Sequence, residues 1–260
     1  MDKLPSEILQ IILYYLDKDQ SSIAQVNIAS KAFYYASLPH LYQAPSFSTI
    51  QRFQTFVQNL NKKAAKCIRT IDLSLTAHRW DAAMDTHILL LSRKAKNIEH
   101  LNLCLCHIAP GILYSCATEF KQLRYLSVNG NRHVNDTTMS ILIPLLKDIR
   151  ELDIGATAIR DRSMVLIGKY CQKLESLDVS DCHRITEVGV RCVTTQLPHL
   201  SYLRIENCYN VVSMEGEFDG ITVEEEGDWE DEEEEEEGER EADIDQDDTN
   251  DQLQSSLYYL

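Results

Sequence analysis

The 260-residue sequence is notable first for what it lacks. No stretch approaches the 18 or more consecutive apolar residues of a membrane span. Its start, MDKLPSEILQ, puts an acid and a proline where a secretory leader has a basic and then an apolar run. There is no G-x-S-x-G, P-loop or H-E-x-x-H motif to propose chemistry. Cys104-x-Cys106-His107 and Cys182-His183 are the only metal-like strings, and no second paired motif stands at zinc-site spacing. No cysteine sits in an activating setting either. These absences predict a soluble intracellular chain, cytoplasmic or nuclear, that is no enzyme and uses no metal, cofactor or membrane. The eight cysteines are expected to be thiols, because a chain of this length can bury its own core without disulfides.

Basic residues are also missing from one end. From Met214 to Leu260 there are 22 Asp and Glu against a single Arg240, a local net charge of -21. The total is -16, so the remaining 213 residues carry +5. A mildly basic body is therefore joined to a strongly acidic end.

What the sequence does have is a repeat. Ile68-Arg-Thr-Ile71-Asp-Leu73 is followed by similar segments ending at Leu103, Val128, Ile154, Val179 and Ile205, spaced by 30, 25, 26, 25 and 26 residues. Three residues beyond each of the last five stand Cys106, Asn131, Thr157, Cys182 and Cys208. A further apolar position follows (Ile108, Val134, Ile159, Ile185), then a helical pattern such as Met164, Ile167 and Cys171. This pattern resembles the cysteine-containing subclass of leucine-rich repeats. The resemblance implies an α/β solenoid, a horseshoe of short parallel strands and helices with about six repeats over residues 67–212. It also implies that Cys106, Cys182 and Cys208 are protected, each bonding the turn of its own repeat.

Residues 1–47 contain no repeat. Leu4-Pro5 precedes Ser6, a suitable helix N-cap, and Ile8, Leu9, Ile12, Leu13 and Leu16 follow helical spacing. A second helix is predicted from Ser22, and Ser30 can cap a third containing Phe33 and Tyr34. Three short helices bury little surface alone, so a partner is expected to cover an apolar face. The string L-P-x-E-I-L-x-x-I-L-x-x-L, with Ser30-Lys-Ala-Phe33 behind it, resembles an F-box, although Phe33 stands where a tryptophan is common. That family docks on a Skp-type adaptor, and through it a cullin, of ubiquitin ligases. The resemblance implies adaptor contacts at Leu4, Pro5, Ile8, Leu9, Ile12, Leu16, Val26 and Phe33, with Leu4, Pro5, Ile8, Leu9 and Ile12 buried only in the complex. The same residues could also cap the open end of the repeats. Residues 48–66, with Ser48 as cap and Ile50, Phe53, Val57 and Leu60 on one face, predict one linking helix packed on the first repeat.

From residue 213 onward the apolar period is lost, and a disordered acidic tail is expected to 260. The leading expectation is a substrate-recognition subunit of a Skp-cullin-F-box ubiquitin ligase, which promotes degradation of an unknown protein substrate. The target would lie on the outward strand residues flanking the third apolar position, with Asn129, Asp153, Asp178 and Arg204 as candidates. The alternative is a histone-binding or chaperone-like protein, since repeats followed by an acidic tail also resemble acidic leucine-rich nuclear phosphoproteins. Those begin their repeats near the N-terminus, whereas here they start after residue 66. Nucleic acid is an unfavoured partner, because the tail repels phosphates and Lys62, Lys63, Lys66 and Arg69 make only a small basic patch.

Overall fold

The computed structural model describes residues 4–16, 20–80, 82–212 and 220–225. All of them belong to one unit, spanning residues 1–227. Three helices come first: α1 (Ser6–Leu16), α2 (Gln20–Asn27) and α3 (Lys31–Tyr42). Their small core is Leu9, Leu13, Ile23, Phe33 and Leu38. The position ahead of α1 is held by Pro5, not Ser6: its carbonyl accepts from the N–H groups of Ile8 (3.1 Å) and Leu9 (3.2 Å), and Ser6 is already helical. Ser30 caps α3 as expected, its hydroxyl accepting from Phe33 N at 3.3 Å.

The predicted single linking helix is two, α4 (Ile50–Asn59) and α5 (Lys62–Cys67), broken where Leu60 takes an extended conformation. Thr49 rather than Ser48 caps α4, and Asn61 caps α5 through Lys63 N and Ala64 N, both 3.0 Å. An internal cap is what lets the chain stop and restart a helix within three residues. Ile50, Phe53, Val57 and Leu60 join the core of the repeats.

The repeats form one sheet of seven parallel strands in sequence order: β1 (Thr70–Asp72), β2 (His100–Asn102), β3 (Tyr125–Ser127), β4 (Glu151–Asp153), β5 (Ser176–Asp178), β6 (Tyr202–Arg204) and β7 (Thr222–Glu224). Between them run α6 (Asp85–Lys94), α7 (Pro110–Glu119), α8 (Asp136–Leu142), α9 (Asp161–Tyr170) and α10 (Glu187–Gln196). The register aligns Ile71, Leu101, Leu126, Leu152, Leu177, Leu203 and Val223 in one apolar row. Helix α8 is short because Pro144 lacks an N–H, and Ile143–Leu145 tightens into a 3₁₀ turn.

Strand β7 corrects the expected boundary at residue 212. The sequence reading passed over the alternation Ile221, Val223 just before the acidic run, and both side chains pack against the core. The expected tail otherwise falls on residues 213–219 and 226–260, outside the described residues.

The turns leaving β2 to β6 each pass through one left-handed residue: Leu105, Gly130, Ala156, Asp181 and Asn207 in turn. Asp and Asn tolerate this conformation, whereas Leu and Ala are strained there. The next residue is the expected small polar one, but its bond differs from expectation. The thiols of Cys182 and Cys208 donate to Ile154 O (3.4 Å) and Val179 O (3.2 Å) of the preceding repeat, as Asn131 Nδ2 donates to Ile108 O (3.1 Å). Thr157 bonds its own repeat, donating to Ile154 O, and Asn131 Oδ1 also accepts from His133 N of its own repeat (3.0 Å). A side chain pointing along the stacking axis meets the neighbouring turn first, so these residues tie repeats together. All eight cysteines are free.

Two outcomes follow. Ala156→Gly is expected to stabilise the protein by about 0.5 kcal/mol, the strain relieved exceeding the added freedom of the unfolded chain, whereas Ala156→Val destabilises; urea midpoints decide. Burial pushes the thiols of Cys106, Cys116, Cys171 and Cys208 up to about 12. A raised folded pKa stabilises fully below the unfolded thiol value, and that stability is lost as pH rises toward about 12. Alkylation at pH 8 should therefore label these four only on unfolding, and fast labelling in the native state contradicts their burial.

Candidate functional site

Two faces carry the candidate residues. The first is α1. Its apolar residues form two stripes, because they occur at more positions than one core-facing stripe requires. Leu9 and Leu13 point into the three-helix core, while Ile8, Ile11 and Tyr15, with Leu4 just ahead of the helix, follow spacings of four, three and four along the opposite side. These four are between 41% and 79% exposed, and Tyr14, also exposed, meets Tyr15 edge to face. An apolar row of this kind on a short helix marks a surface that a partner covers.

The expected adaptor residues therefore divide. Leu4, Pro5 and Ile8 are exposed; Ile12, Leu16 and Val26 are half-buried. Leu9 and Phe33 are only 5% and 6% exposed and belong to the core of the isolated chain, so they are not residues buried only in a complex. Ile11, Tyr14, Tyr15 and Ile28 are exposed residues the sequence reading missed. For the first three the signal was present: once Leu9 and Leu13 are assigned to the core, the opposite stripe is fixed by the helical period.

The second face is the outward side of the sheet. One row runs Thr70, His100, Tyr125, Glu151, Ser176, Tyr202 and Thr222. The sequence reading omitted it, although strand alternation puts it on the same side as the next row. That row is Asp72, Asn102, Ser127, Asp153, Asp178, Arg204 and Glu224. His100 and Tyr125 stack with centroids 5.8 Å apart.

The four candidate residues lie on this face, but bonds within it already engage them. The Asp153 carboxylate accepts from Ser127 Oγ (2.7 Å), Asn129 Nδ2 (3.0 Å) and Gly155 N (3.1 Å). Ser127, expected on the surface, is fully buried beneath that carboxylate. Gly155 permits the arrangement, since a Cβ there would lie 2.7 Å from Asn129 Nδ2 and 3.0 Å from Ser180 O. Asp178 accepts from Ser180 N (2.9 Å), a local turn that Asp72 and Asn102 repeat at Ser74 N and Cys104 N. Arg204 is set among three carboxylates: Glu206 (2.7 Å), Glu224 (3.5 Å) and Asp178 (3.7 Å). Its charge is thus spent within the face. Asp153 and Asp178 do stand opposite one another in register.

Burial raises the pKa of Asp178, with Asp153 adding to the effect and Ser180 and Arg204 opposing it. Burial also lifts the Tyr125 and Tyr202 hydroxyls to about 12; Asp153 adds to the first, and the hydrogen bond to Glu224 adds to the second. None of these groups forms a nucleophile and base pair of a kind that would do chemistry. Among the described residues no group of three or more His, Cys, Asp and Glu is placed to hold a metal, and no helix is long and apolar enough to cross a membrane.

Because the folded pKa of Asp178 is raised, its contribution favours the fold below the unfolded carboxyl value and is lost as pH rises through the folded value. Asp178→Asn removes this dependence. The variant should gain stability relative to the parent as pH rises from about 4 to 7, seen as diverging thermal midpoints. Parallel midpoints across that range contradict the assignment.

Residues 1–78 match the family model described as the COS11 F-box domain. Over 137 residues the chain is 26% identical to F-box/LRR-repeat protein 4 of Bos taurus, covering 52% of this chain and 22% of that protein. Over 73 residues it is 36% identical to F-box protein COS111 of Candida glabrata, covering 27% of this chain and 8% of that protein. The chain thus matches less than a quarter of the length of either relative. Among solved structures, an internalin C2 of Listeria monocytogenes aligns with TM-score 0.47 at 15% identity, covering 78% of this chain and 91% of that one. Residues 1–78 are thus matched as an F-box domain, and the seven-stranded repeat array stands behind them, an order similar to the one that the name F-box/LRR-repeat protein describes.

Proposed function

We propose that this chain is a substrate-recognition subunit of a Skp-cullin-F-box ubiquitin ligase, acting in the cytoplasm or nucleus. The α1 helix docks on the Skp-type adaptor, and through it a cullin, while the repeat face presents a protein substrate for ubiquitin-dependent degradation. The transfer chemistry belongs to other subunits. One observation carries the reading: within the segment matched as an F-box, Leu4, Ile8, Ile11 and Tyr15 form an exposed apolar stripe that the chain itself leaves uncovered among its described residues. The histone-binding or chaperone-like reading does not account for the match of this segment to an F-box.

The substrate face is predominantly anionic, with Glu151, Asp153, Asp178, Glu206 and Glu224 against Arg204. Asn129, Asp153, Asp178 and Arg204 remain its proposed contacts. Because Asp153 and Arg204 already have partners, the face suits a basic segment that adds bonds to these carboxylates rather than replacing those present.

Co-purification of the full chain with adaptor and cullin tests the proposal. Leu4→Ala with Ile8→Ala should weaken adaptor binding by about 1–2 kcal/mol per side chain, roughly tenfold each, and leave the fold intact. Leu9→Ala, by contrast, should cost about 2–5 kcal/mol of folding stability. A double variant that binds the adaptor as tightly as the parent would sink the proposal.

A further inference from the structure

A cavity of about 670 Å³ lies beside the α4–α5 turn and the end of α6. Leu60 and Ala65 form its apolar part. Lys62, Lys66, Arg93, Lys94 and Lys96 also line it, and no carboxylate does. Two of these cations have structural duties. Lys94 Nζ donates to Val57 O and Gln58 O, both 2.9 Å, at the end of α4, and Lys96 pairs with Glu119. The other three have none: among the described residues Lys62, Lys66 and Arg93 make no ion pair, and all three are exposed. Glu119 pairs with Lys96 and forms no salt bridge with Arg93.

Lys62 and Lys66 stand one turn apart on α5, an arrangement that repels. The walls are nevertheless fixed, since Asn97 Nδ2 holds Lys66 O at 2.9 Å and Lys94 fastens α6 to α4. A second cavity offers a contrast. Lys121, Arg124, Arg150 and Lys173 line it together with Glu99 and Asp148, so half of its positive charge is offset from within.

We propose that the first cavity binds a small organic anion carrying two or more phosphate groups. Its volume is in the range of small-ligand sites. Neutralising three unpaired cations in that space requires several negative charges close together. Phosphate groups supply them, whereas peptide carboxylates bring one charge per residue. Arg93 offers a planar fork to one phosphate, the two lysines act as point charges toward another, and Leu60 with Ala65 meets the organic body. The site stands apart from both the α1 stripe and the strand face, so it does not depend on the adaptor reading.

The test titrates inorganic tripolyphosphate into the full-length chain by calorimetry. One saturable site is expected, weakening as salt is raised. Lys66→Gln and Arg93→Gln should each reduce affinity about tenfold, with unchanged thermal midpoints because both side chains are exposed, while Lys121→Gln in the second cavity has no effect. Absence of saturable binding would overturn the proposal, as would equal weakening by Lys121→Gln. A glutamate peptide of equal charge binding as tightly would overturn it too, since that shows attraction to any polyanion.

Discussion

One backbone carbonyl per repeat holds the molecule in register. The carbonyl of Arg69 accepts from both Glu99 N and His100 N; that of Glu99 accepts from Arg124 N and Tyr125 N; and those of Arg124, Arg150 and Glu175 continue the ladder at 2.7–3.2 Å. Each carbonyl lies just ahead of a strand, so its two bonds fix where the next strand begins and leave the leucine row no other alignment. The ladder starts before the repeats do. Gln43 O, at the end of α3, accepts from Arg69 N (2.9 Å) and Thr70 N (3.0 Å), taking the place a preceding strand would occupy. The F-box region therefore both carries the exposed α1 stripe and closes the open end of the sheet, which an array of repeats requires.

A second set of ties runs along the helices. Asp85, Asp136 and Asp161 each stand at the first position of a helix, where a negative charge meets the positive end of the helix dipole. Each also accepts from the backbone N–H at the start of the next helix: Ala109, Arg160 and Thr186 at 3.0, 3.0 and 2.8 Å. Charge-assisted bonds of this kind exceed the exposed pairs Arg69–Glu99 and Lys173–Asp148, which water and salt weaken. Strand, turn and helix are thus each bonded to the preceding repeat. Under the proposed function, a body so constrained would hold a target at a set distance from whatever α1 binds, which is the proximity and orientation such a role requires.

On the strand face, the side chains proposed as substrate contacts already serve the scaffold. Asp153 is engaged by Ser127, Asn129 and Gly155, and Arg204 by three carboxylates. Removing Asp153 would leave those donors without their acceptor, so its loss disturbs the sheet surface as well as any ligand on it. Three cations of the cavity beside α5 differ, because Lys62, Lys66 and Arg93 make no ion pair among the described residues.

Much of this was legible in the sequence. The spacing of L-x-x-L-x-L determined the parallel strands, their order and the buried row, because a short apolar period repeated near 26 residues has one way to bury itself. Spacing gave the helices between Leu4 and Phe33, and the resemblance of the L-P-x-E-I-L-x-x-I-L-x-x-L string to the F-box family implied what they are. Tertiary structure decided what that spacing leaves open. Periodicity says that α1 has apolar residues on both sides, but only packing against α2 and α3 determined that Leu9 lies inside and Ile8 outside. It identified Cys182 and Cys208 as turn residues, but only the stacked neighbour showed that their thiols bond the preceding repeat. It left Ile221 and Val223 in an acidic segment, and β7 exists because β6 offers an unpaired edge beside an apolar core. In each case the missing information was the identity of the neighbour, which residues distant in the chain supply and a local pattern does not contain.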